Sequence, residues 1–335
     1  MARKGRVDTT GAVHHITQRG NDRGDIFFDD ADYANFVNRL AVNLIESKTQ
    51  CYAWALMPNH IHLALVTGDR PIRNVLQCVF TGYAMSINKK YGRSGHLFQG
   101  RYHSILCEKE TYLLALVRYI HLNPVRSGLT ESVESLAKYR WTGHRAIMGL
   151  SENPWQITGE LLERFGTNKL LAREKYGEFL SEGLKRPINN DDIIGKGMRR
   201  IKEGGWEAVK SKSTPADSYA DERIAGSREF VEKVLKGVEE KERWRSRTAG
   251  KGWTAERIID RAARQFGLKP ADIMGNGKRP TQCHGRNLAC KWLVDDLGMS
   301  EVEVARQLKV TQPTVSAGVR KGRLLEKDGG FRFEE

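Results

Sequence analysis

Residues 51–66 constrain the fold more than any other stretch, because this run is mostly apolar and contains two histidines separated by a single residue. Tyr52 and Trp54 stand in its first half, and His60 and His62 in its second. Such a run predicts a β-strand, whose side chains alternate between two faces. His60 and His62 would then share a face and could hold one divalent ion. A pair of structural histidines is the alternative, which the His-x-His pattern alone does not exclude.

Strand and helix patterns on both sides of this run predict a first domain over residues 1–150. The expected elements, in order, are a strand over 11–20, a helix from about 30 to 47, the histidine strand, a helix from about 72 to 91, a strand over 104–107 and a helix from about 108. Pro124 and Gly128 predict the end of that last helix. The alternation favours an α+β fold, a sheet with helices packed on it.

Polar and aromatic side chains follow one face of the predicted third helix. Tyr112, Leu116, Tyr119 and Asn123 are spaced i, i+4, i+7 and i+11. Tyr119 therefore lies near the end of a helix, with an amide one turn beyond it. A single tyrosine on a helix is ordinarily a packing residue, and only the histidine pair gives it a second interpretation as a nucleophile.

A loop over residues 91–103 combines glycines, aromatic side chains and the basic residues Arg93 and Arg101. This composition suits contacts with the backbone and bases of single-stranded nucleic acid. An ordinary surface turn is an equally good interpretation.

Charge and composition narrow the class of protein. The net charge is +14, the pI is about 9.6, and residues 1–150 carry half of the charge, with 19 Lys and Arg against 12 Asp and Glu. A basic chain favours a polyanionic partner, most simply nucleic acid. No stretch approaches the ~18 apolar residues of a membrane span, and the basic start lacks the apolar core of a signal peptide. The five scattered cysteines predict reduced thiols and a cytoplasmic location.

The second half of the chain predicts two further regions. Residues 151–249 show mixed helical periodicity interrupted by polar, glycine-rich stretches such as 210–221, which predicts a partly flexible helical connector. Residues 250–335 predict an all-α domain ending in a helix-turn-helix over 299–321. Its second helix would enter the major groove of duplex DNA through Gln312, Thr314 and Ser316, with Arg320 and Lys321 near phosphates. A plain helical bundle is the alternative.

Two motifs in the first domain resemble a known family. Pro58-Asn-His-Ile-His-Leu, followed by Arg118-Tyr-Ile-His-Leu-Asn-Pro-Val-Arg-Ser-Gly128, resembles the single-tyrosine HUH transposases, and within them the REP-associated tyrosine transposase branch, over about residues 8–148. The resemblance implies an HUH-type antiparallel sheet with helices packed on it, and a homodimer. The C-terminal region is similar to the DNA-binding domain of the replication initiator DnaA, through 277–280, 286–289 and the helix pair, but lacks that domain's histidine-rich recognition signature.

The transposase resemblance also implies a chemistry. His60 and His62 fall on the metal-binding pair, Asn123 on the residue that completes the site for Mg²⁺ or Mn²⁺, and Tyr119 on the catalytic tyrosine. The implied activity is cleavage and rejoining of single-stranded, hairpin-containing DNA through a covalent 5′-phosphotyrosine. His103 and His121 are expected to be structural or to contact DNA. The residues assigned to DNA binding are Arg93, Arg101, Arg118, Arg126, Lys278, Arg279, Arg286 and the helix-turn-helix residues above. A DNA-binding regulator that retains the fold without strand transfer is the alternative function, and a replication or conjugation nickase a third.

Overall fold

A computed structural model describes residue 7, residues 11–185, 223–250 and 252–331, and residue 333. The chain divides into two compact units, one ending at Val234 and the other beginning at Leu235. The stretch 210–221, predicted to interrupt the connector, lies outside the described residues. None of the helices in the described ranges is both long and apolar enough to span a membrane.

The first unit is built on a five-stranded sheet with the order β2-β3-β1-β4-β5. The strands are β1 (Val13–Arg19), β2 (Gln50–Met57), β3 (His60–Val66), β4 (His103–Cys107) and β5 (Ile224–Ala225). The first four pair antiparallel, as predicted, but β5 pairs parallel to β4, so the sheet is mixed. A parallel pair needs a long crossover connection, and the chain between β4 and β5 supplies one. The predicted α+β fold is confirmed.

Helices cover both faces of this sheet. Ile16, Leu56 and Ile61 point to the face on which α1 (Asp30–Ser47) and α2 (Ile72–Lys90) pack. Val13, Ala55 and Ala64 point to the opposite face, which is covered by α3 (Lys109–Arg126). Because side chains alternate along a strand, the face under α3 is also the face of His60 and His62.

The apolar run that predicted one strand forms two strands joined by a tight hairpin. β2 ends at Met57, β3 begins at His60, and the turn between them consists of Pro58 and Asn59. Proline presets the backbone angle φ for the first central position of a turn, and asparagine suits the second. The hairpin places both histidines at the start of a strand that lies between two partners, where the backbone is rigid.

Helix α3 continues past Pro124 and ends at Arg126, between the two residues that predicted its end. The proline ring removes one intrahelical hydrogen bond, but in the last turn few bonds remain to be lost. Gly128 then takes a left-handed conformation with φ of 75° and closes the helix through a hydrogen bond to the Val125 carbonyl.

Residues after 150 extend the core of the first unit. After the short helices α4 (Val133–Leu136) and α5 (His144–Ile147), the elements beyond residue 150 are α6 (Gly159–Glu163) and α7 (Lys169–Lys185). Leu161, Tyr176 and Leu180 are fully buried in the same hydrophobic cluster as α3. Glu160 also accepts a hydrogen bond of 2.6 Å from the Tyr52 hydroxyl of β2. The part of the predicted connector that the structure describes up to residue 185 thus packs on the sheet domain.

The second unit is helical. After α8 (Arg228–Gly250), which crosses the boundary between the units, come α9 (Ala255–Arg264), α10 (Pro270–Ile273), α11 (Pro280–Lys291), a π-helical turn (Trp292–Asp296), α12 (Glu301–Leu308) and α13 (Gln312–Gly329). Helix α11 begins seven residues before the predicted start at Asn287, because Pro280 suits the first helical position. A short link containing Lys309, with φ of 53°, joins α12 to α13, and Val304, Leu308 and Val315 fill the joint.

Candidate active site

The two histidines of β3 lie opposite polar residues of β1. Thr17 pairs with His62 and Arg19 with His60 in the antiparallel register. The rings of His60 and His62 have centroids 5.3 Å apart and are inclined at 81°. They share a face of the sheet, as the alternation predicts, close enough to bind one ion.

The ring of His60 is held by the residue before it. Its Nδ1 lies 2.6 Å from Asn59 Oδ1, and Asn59 Nδ2 donates to the Arg23 carbonyl at 3.0 Å. An amide oxygen only accepts, so His60 Nδ1 carries the proton and Nε2 has a free lone pair. Burial, helped by the charge of Arg19, lowers the pKa of His60 to about 4, which keeps the ring neutral, as a metal ligand must be.

A third histidine, from β1, contacts His62. His15 Nε2 lies 3.1 Å from His62 Nδ1, and Thr17 Oγ1 lies 3.4 Å and 3.3 Å from the same two nitrogens. His15 is 1% exposed, and burial lowers its pKa to about 3. His15 and Thr17 thus hold the ring of His62 at its Nδ1 atom.

Tyr119, on α3, packs against these rings. Its ring centroid is 5.6 Å from those of both His15 and His62, in edge-to-face contacts. The side chain is 8% exposed, and burial raises the pKa of its phenol, opposed by the charges of Arg126 and Arg19 and by a hydrogen bond with Asn123. The Arg126 guanidinium stacks over the Tyr119 ring at 5.7 Å. One chain therefore brings the phenol and the histidine pair together.

The imidazoles of His60 and His62 and the amide of Asn123 are groups that can bind a divalent ion. Within the described ranges, no group of three or more His, Cys, Asp or Glu side chains could hold a metal. Asn123 Nδ2 donates to the Tyr119 carbonyl at 2.8 Å, which leaves its Oδ1 as the atom that could bind a cation. His60, His62 and Asn123 would give two nitrogens and one oxygen and leave positions open for phosphate oxygens. The absence of a carboxylate predicts weak binding of the ion without DNA.

Sequence reasoning missed His15, Thr17 and Arg19. The first strand was predicted, and its alternation puts these three residues on one face. Nothing in the sequence indicated which face that was or which strand lay beside it, because β1 pairs with β3 across about 45 residues of chain. The alternating polar residues of 15, 17 and 19 were the available clue.

The predicted DNA-binding residues of the first unit occupy different environments. Arg93 and Arg101 are exposed, and Arg93 stacks over the Phe28 ring at 5.4 Å. Arg118 instead packs over the Phe179 ring of α7 at 4.4 Å. Arg126 lies beside Tyr119 and also donates to the Gly183 carbonyl at 3.4 Å. Arg93 and Arg101 are therefore accessible to a ligand in solution, whereas Arg118 and Arg126 make contacts between α3 and α7.

His121 and His103 also differ in environment. His103 is exposed at the start of β4, opposite Thr17 in the sheet. His121 is fully buried, with Nδ1 2.7 Å from the Tyr176 hydroxyl, and His144 Nδ1 lies 3.3 Å from the same oxygen. Burial lowers the pKa of His121 well below its usual value and that of His144 to about 4.

This buried pair predicts a loss of stability in mild acid. The unfolded chain binds protons at a histidine pKa near 6.5, whereas folded His144 remains neutral down to about 4. The free energy of unfolding should therefore fall as the pH drops below about 6.5, by up to about 1.4 kcal/mol per pH unit for each such histidine. Urea unfolding at several pH values measures this slope. His144→Gln should reduce it, and equal slopes in the two proteins would contradict the assignment.

The predicted DNA-binding residues of the second unit also divide into exposed residues and residues that are wholly or partly buried. Lys278 and Arg279 are exposed before α11, as are Gln312, Arg320 and Lys321 on α13. Arg286 is 6% exposed and donates to the carbonyls of Ile273 and Gly277, each at 2.9 Å, a placement that favours shaping the loop over contacting DNA. Thr314 is half-buried and bonds Thr311 at 2.9 Å. Ser316 donates to the Glu301 carboxylate of α12.

Comparison with known proteins shows what the first region is similar to. Residues 9–123 match the family model described as "Transposase IS200 like", which confirms the resemblance to transposases. Similar solved structures include that of a REP-associated tyrosine transposase bound to a REP hairpin, 18% identical over 47% of this chain and 92% of that one, with a TM-score of 0.37. Another is a putative transposase from Deinococcus radiodurans R1, 17% identical over 33% of this chain and 89% of that one, with a TM-score of 0.26. No curated protein matches the chain. The family match ends before the C-terminal region, whose resemblance to DnaA stays a prediction.

Proposed function

We propose that this chain, whose residues 9–123 match the IS200-like transposases, is a DNA transposase that cleaves and rejoins single strands through Tyr119. The observation that carries the proposal is the 5.6 Å separation between the Tyr119 and His62 rings, with His60 beside them on the same face. A tyrosine that serves only to pack the core does not need two histidines beside it. A nucleophile that attacks a phosphodiester needs a site for the phosphate next to it.

The proposed reaction exchanges one phosphoester bond for another. Tyr119 Oη forms a bond to phosphorus, the bond from phosphorus to the 3′ oxygen breaks, and the phenol proton is lost as the 3′ oxygen gains one. The 5′ end of the DNA is then held as a phosphotyrosine. A later attack by another 3′-OH reverses the step and joins strands without ATP, because the energy of the phosphoester bond is conserved.

His60, His62 and Asn123 would hold Mg²⁺ or Mn²⁺, which when bound supplies Lewis-acid polarisation of the scissile phosphate. Asn59 holds the ring of His60, and His15 and Thr17 contact Nδ1 of His62. Two nitrogen ligands suit Mn²⁺ and Zn²⁺ as well as Mg²⁺. Titration with each ion measures which one binds most tightly.

Arg19 and Arg126 supply positive charge around the phenol. Both oppose the effect of burial on the Tyr119 pKa, and therefore favour its deprotonated form at the moment of attack. The same charges attract the phosphate to the phenol. At neutral pH the buried phenol is protonated, so the reaction should accelerate as the pH rises.

Single-stranded, hairpin-containing DNA is the proposed substrate. Arg93 and Arg101 are exposed in the loop that precedes β4, and the Phe28 ring under Arg93 is 43% exposed. An exposed aromatic ring beside a guanidinium can stack on an unpaired base. The homodimer that the family resemblance implies and the cytoplasmic location that the cysteines predict stay predictions.

A cleavage assay separates the enzyme from a DNA-binding regulator. The protein is incubated with Mn²⁺ and hairpin oligonucleotides taken from palindromic repeats beside its gene, labelled on the 3′ side of the cut. The expected product is protein that carries the label through denaturing electrophoresis, and chelation by EDTA should remove it. Stable binding without any cut product, at every ion tested, would support the regulator instead.

The second unit is proposed to bind duplex DNA through α13. Arg320 and Lys321 are exposed on that helix, and each phosphate contact contributes about one unit to the salt dependence of binding. Replacing both by Gln should weaken duplex binding at least about tenfold and reduce the slope of log K against log salt by about 2. Fluorescence anisotropy at several salt concentrations measures both. Lys327→Gln, in the last turn of the same helix, is the matched control, and an unchanged slope in the double variant would contradict the assignment.

A further inference from the structure

We propose that Phe28 and Tyr91 form a binding site on which one unpaired base of the DNA stacks, with the Arg93 guanidinium beside them. The inference rests on the proposed function, since its ligand is part of the proposed single-stranded substrate. It adds a site for one nucleotide outside the cluster of histidines and tyrosine. It also assigns a role to Tyr91, which neither of the two transposase motifs contains.

Two aromatic rings lie side by side on the surface of the first unit. Phe28 is 43% exposed and Tyr91 is 38% exposed, and their ring centroids are 4.8 Å apart with planes inclined at 54°. The Arg93 guanidinium lies over the Phe28 ring at 5.4 Å. One exposed aromatic side chain is ordinary, but two in contact beside a cation form a surface that suits a flat ring.

The packing of helix α1 does not account for the exposed ring of Phe28. The residue before an N-cap commonly packs on the fourth residue of its helix, which for the N-cap Asp29 would place Phe28 on Tyr33. Phe27 takes that place, since its ring stacks on Tyr33 with centroids 4.1 Å apart and is 3% exposed. The start of α1 is therefore covered without Phe28.

A buried carboxylate holds the two rings in place. Asp32 is 1% exposed, and its Oδ2 accepts hydrogen bonds from the Phe28 backbone N–H at 3.0 Å and the Tyr91 hydroxyl at 2.9 Å. Its Oδ1 accepts one from Lys90 Nζ at 2.8 Å. One carboxylate thus joins the start of α1 to the end of α2. Binding to such a preorganised surface costs less conformational entropy than binding to flexible side chains.

Charge and ring chemistry favour a nucleotide as the ligand. Lys90 is paired with both Asp29 and Asp32, at 2.7 Å and 2.8 Å, so its charge is compensated. Among the described residues no carboxylate pairs with the exposed Arg93, whose charge is therefore available to a phosphate. Every base has a flat face that stacks on aromatic rings. An unpaired nucleotide offers both the flat face and the phosphate.

The site lies at the end of the sheet where β3 begins. The backbone N–H groups of Ile26 and Phe27 both donate to the Pro58 carbonyl, at 2.8 Å and 3.2 Å, and Phe28 follows directly. Pro58 opens the turn that leads into β3 and its first residue, His60. The segment that carries Phe28 is thus tied to the histidine hairpin, and the inference assigns the stacked base to a nucleotide that flanks the cut.

Fluorescence of 2-aminopurine, a base analogue that is quenched when it stacks, tests the contact directly. The analogue replaces each unpaired base in turn in the hairpin oligonucleotides of the cleavage assay, and EDTA is present so that no cleavage occurs. We expect the unaltered protein to quench the analogue at one unpaired position, and Phe28→Ala to leave it bright there. Quenching at no unpaired position, or equal quenching by Phe28→Ala, would overturn the proposal.

Anisotropy measures what each ring contributes to affinity. Phe28→Ala and Tyr91→Ala should each weaken hairpin binding roughly 5- to 100-fold, which is the usual effect of one stacked base. Phe28→Trp keeps a ring and should bind normally. Met85→Ala is the matched control, because Met85 is a 68% exposed apolar residue of α2 outside the pair of rings. An equal loss of binding to a blunt duplex without unpaired bases would overturn the proposal.

The two readouts separate this site from the proposed reaction. Quenching that depends on Phe28, without any covalent adduct, would uphold the site and remove strand transfer. Adduct formation without quenching at any unpaired position would leave the reaction and remove the site.

Discussion

Tyr119→Phe is expected to reduce formation of the covalent protein–DNA adduct by at least about 10³-fold, because no other group would replace the lost nucleophile. DNA binding should change little. The phenol is buried against His15 and His62, so removal of one oxygen leaves the ring contacts in place. Denaturing electrophoresis of labelled DNA measures the adduct, and anisotropy measures binding.

Tyr112→Phe is the matched control, since Tyr112 is a half-buried tyrosine of the same helix that lies outside the histidine cluster. It should form adduct at the rate of the unaltered protein. Adduct formation by Tyr119→Phe that is as fast as normal would remove Tyr119 from the mechanism and with it the proposed reaction.

A chain ending at residue 150 is expected not to fold. It lacks Leu161, Tyr176 and Leu180, each fully buried in the cluster that supports α3. Burial of each such side chain contributes roughly 1.5–3 kcal/mol, and the stability of a whole domain is about 5–15 kcal/mol. The missing contacts therefore amount to much of the total. Circular dichroism and urea unfolding of the purified fragment measure the effect.

A chain ending at residue 185 is the control for this truncation. It retains α6 and α7 and should show a cooperative unfolding transition, whereas the shorter fragment should aggregate or show none. A cooperative transition in the chain ending at 150 would mean that the sheet domain folds without α7.

The parts of the site that lie close together in sequence were predictable. His60 and His62 are two residues apart, and Tyr119 and Asn123 are one helical turn apart, so local periodicity already fixes their relative directions. The helices α12 and α13 were predictable for the same reason, since Ser300 and Thr311 mark their starts. Their use as a helix-turn-helix stays a prediction.

The parts of the site that depend on pairing between segments far apart in the sequence were not predictable. His15 reaches His62 only because β1 lies between β3 and β4, and no periodicity reveals the order of strands in a sheet. The hairpin at Pro58 was hidden because apolar residues dominate both of its strands, so one long strand and two short ones look alike. The burial of Arg286 was equally invisible, since its partners are backbone carbonyls of other segments.

The central place of β1 ties the histidine cluster to segments far along the chain. The side chains of this strand meet partners 47 and 90 residues further on. A nascent polypeptide therefore cannot assemble the proposed cleavage centre until the tyrosine helix has emerged from the exit tunnel and docked.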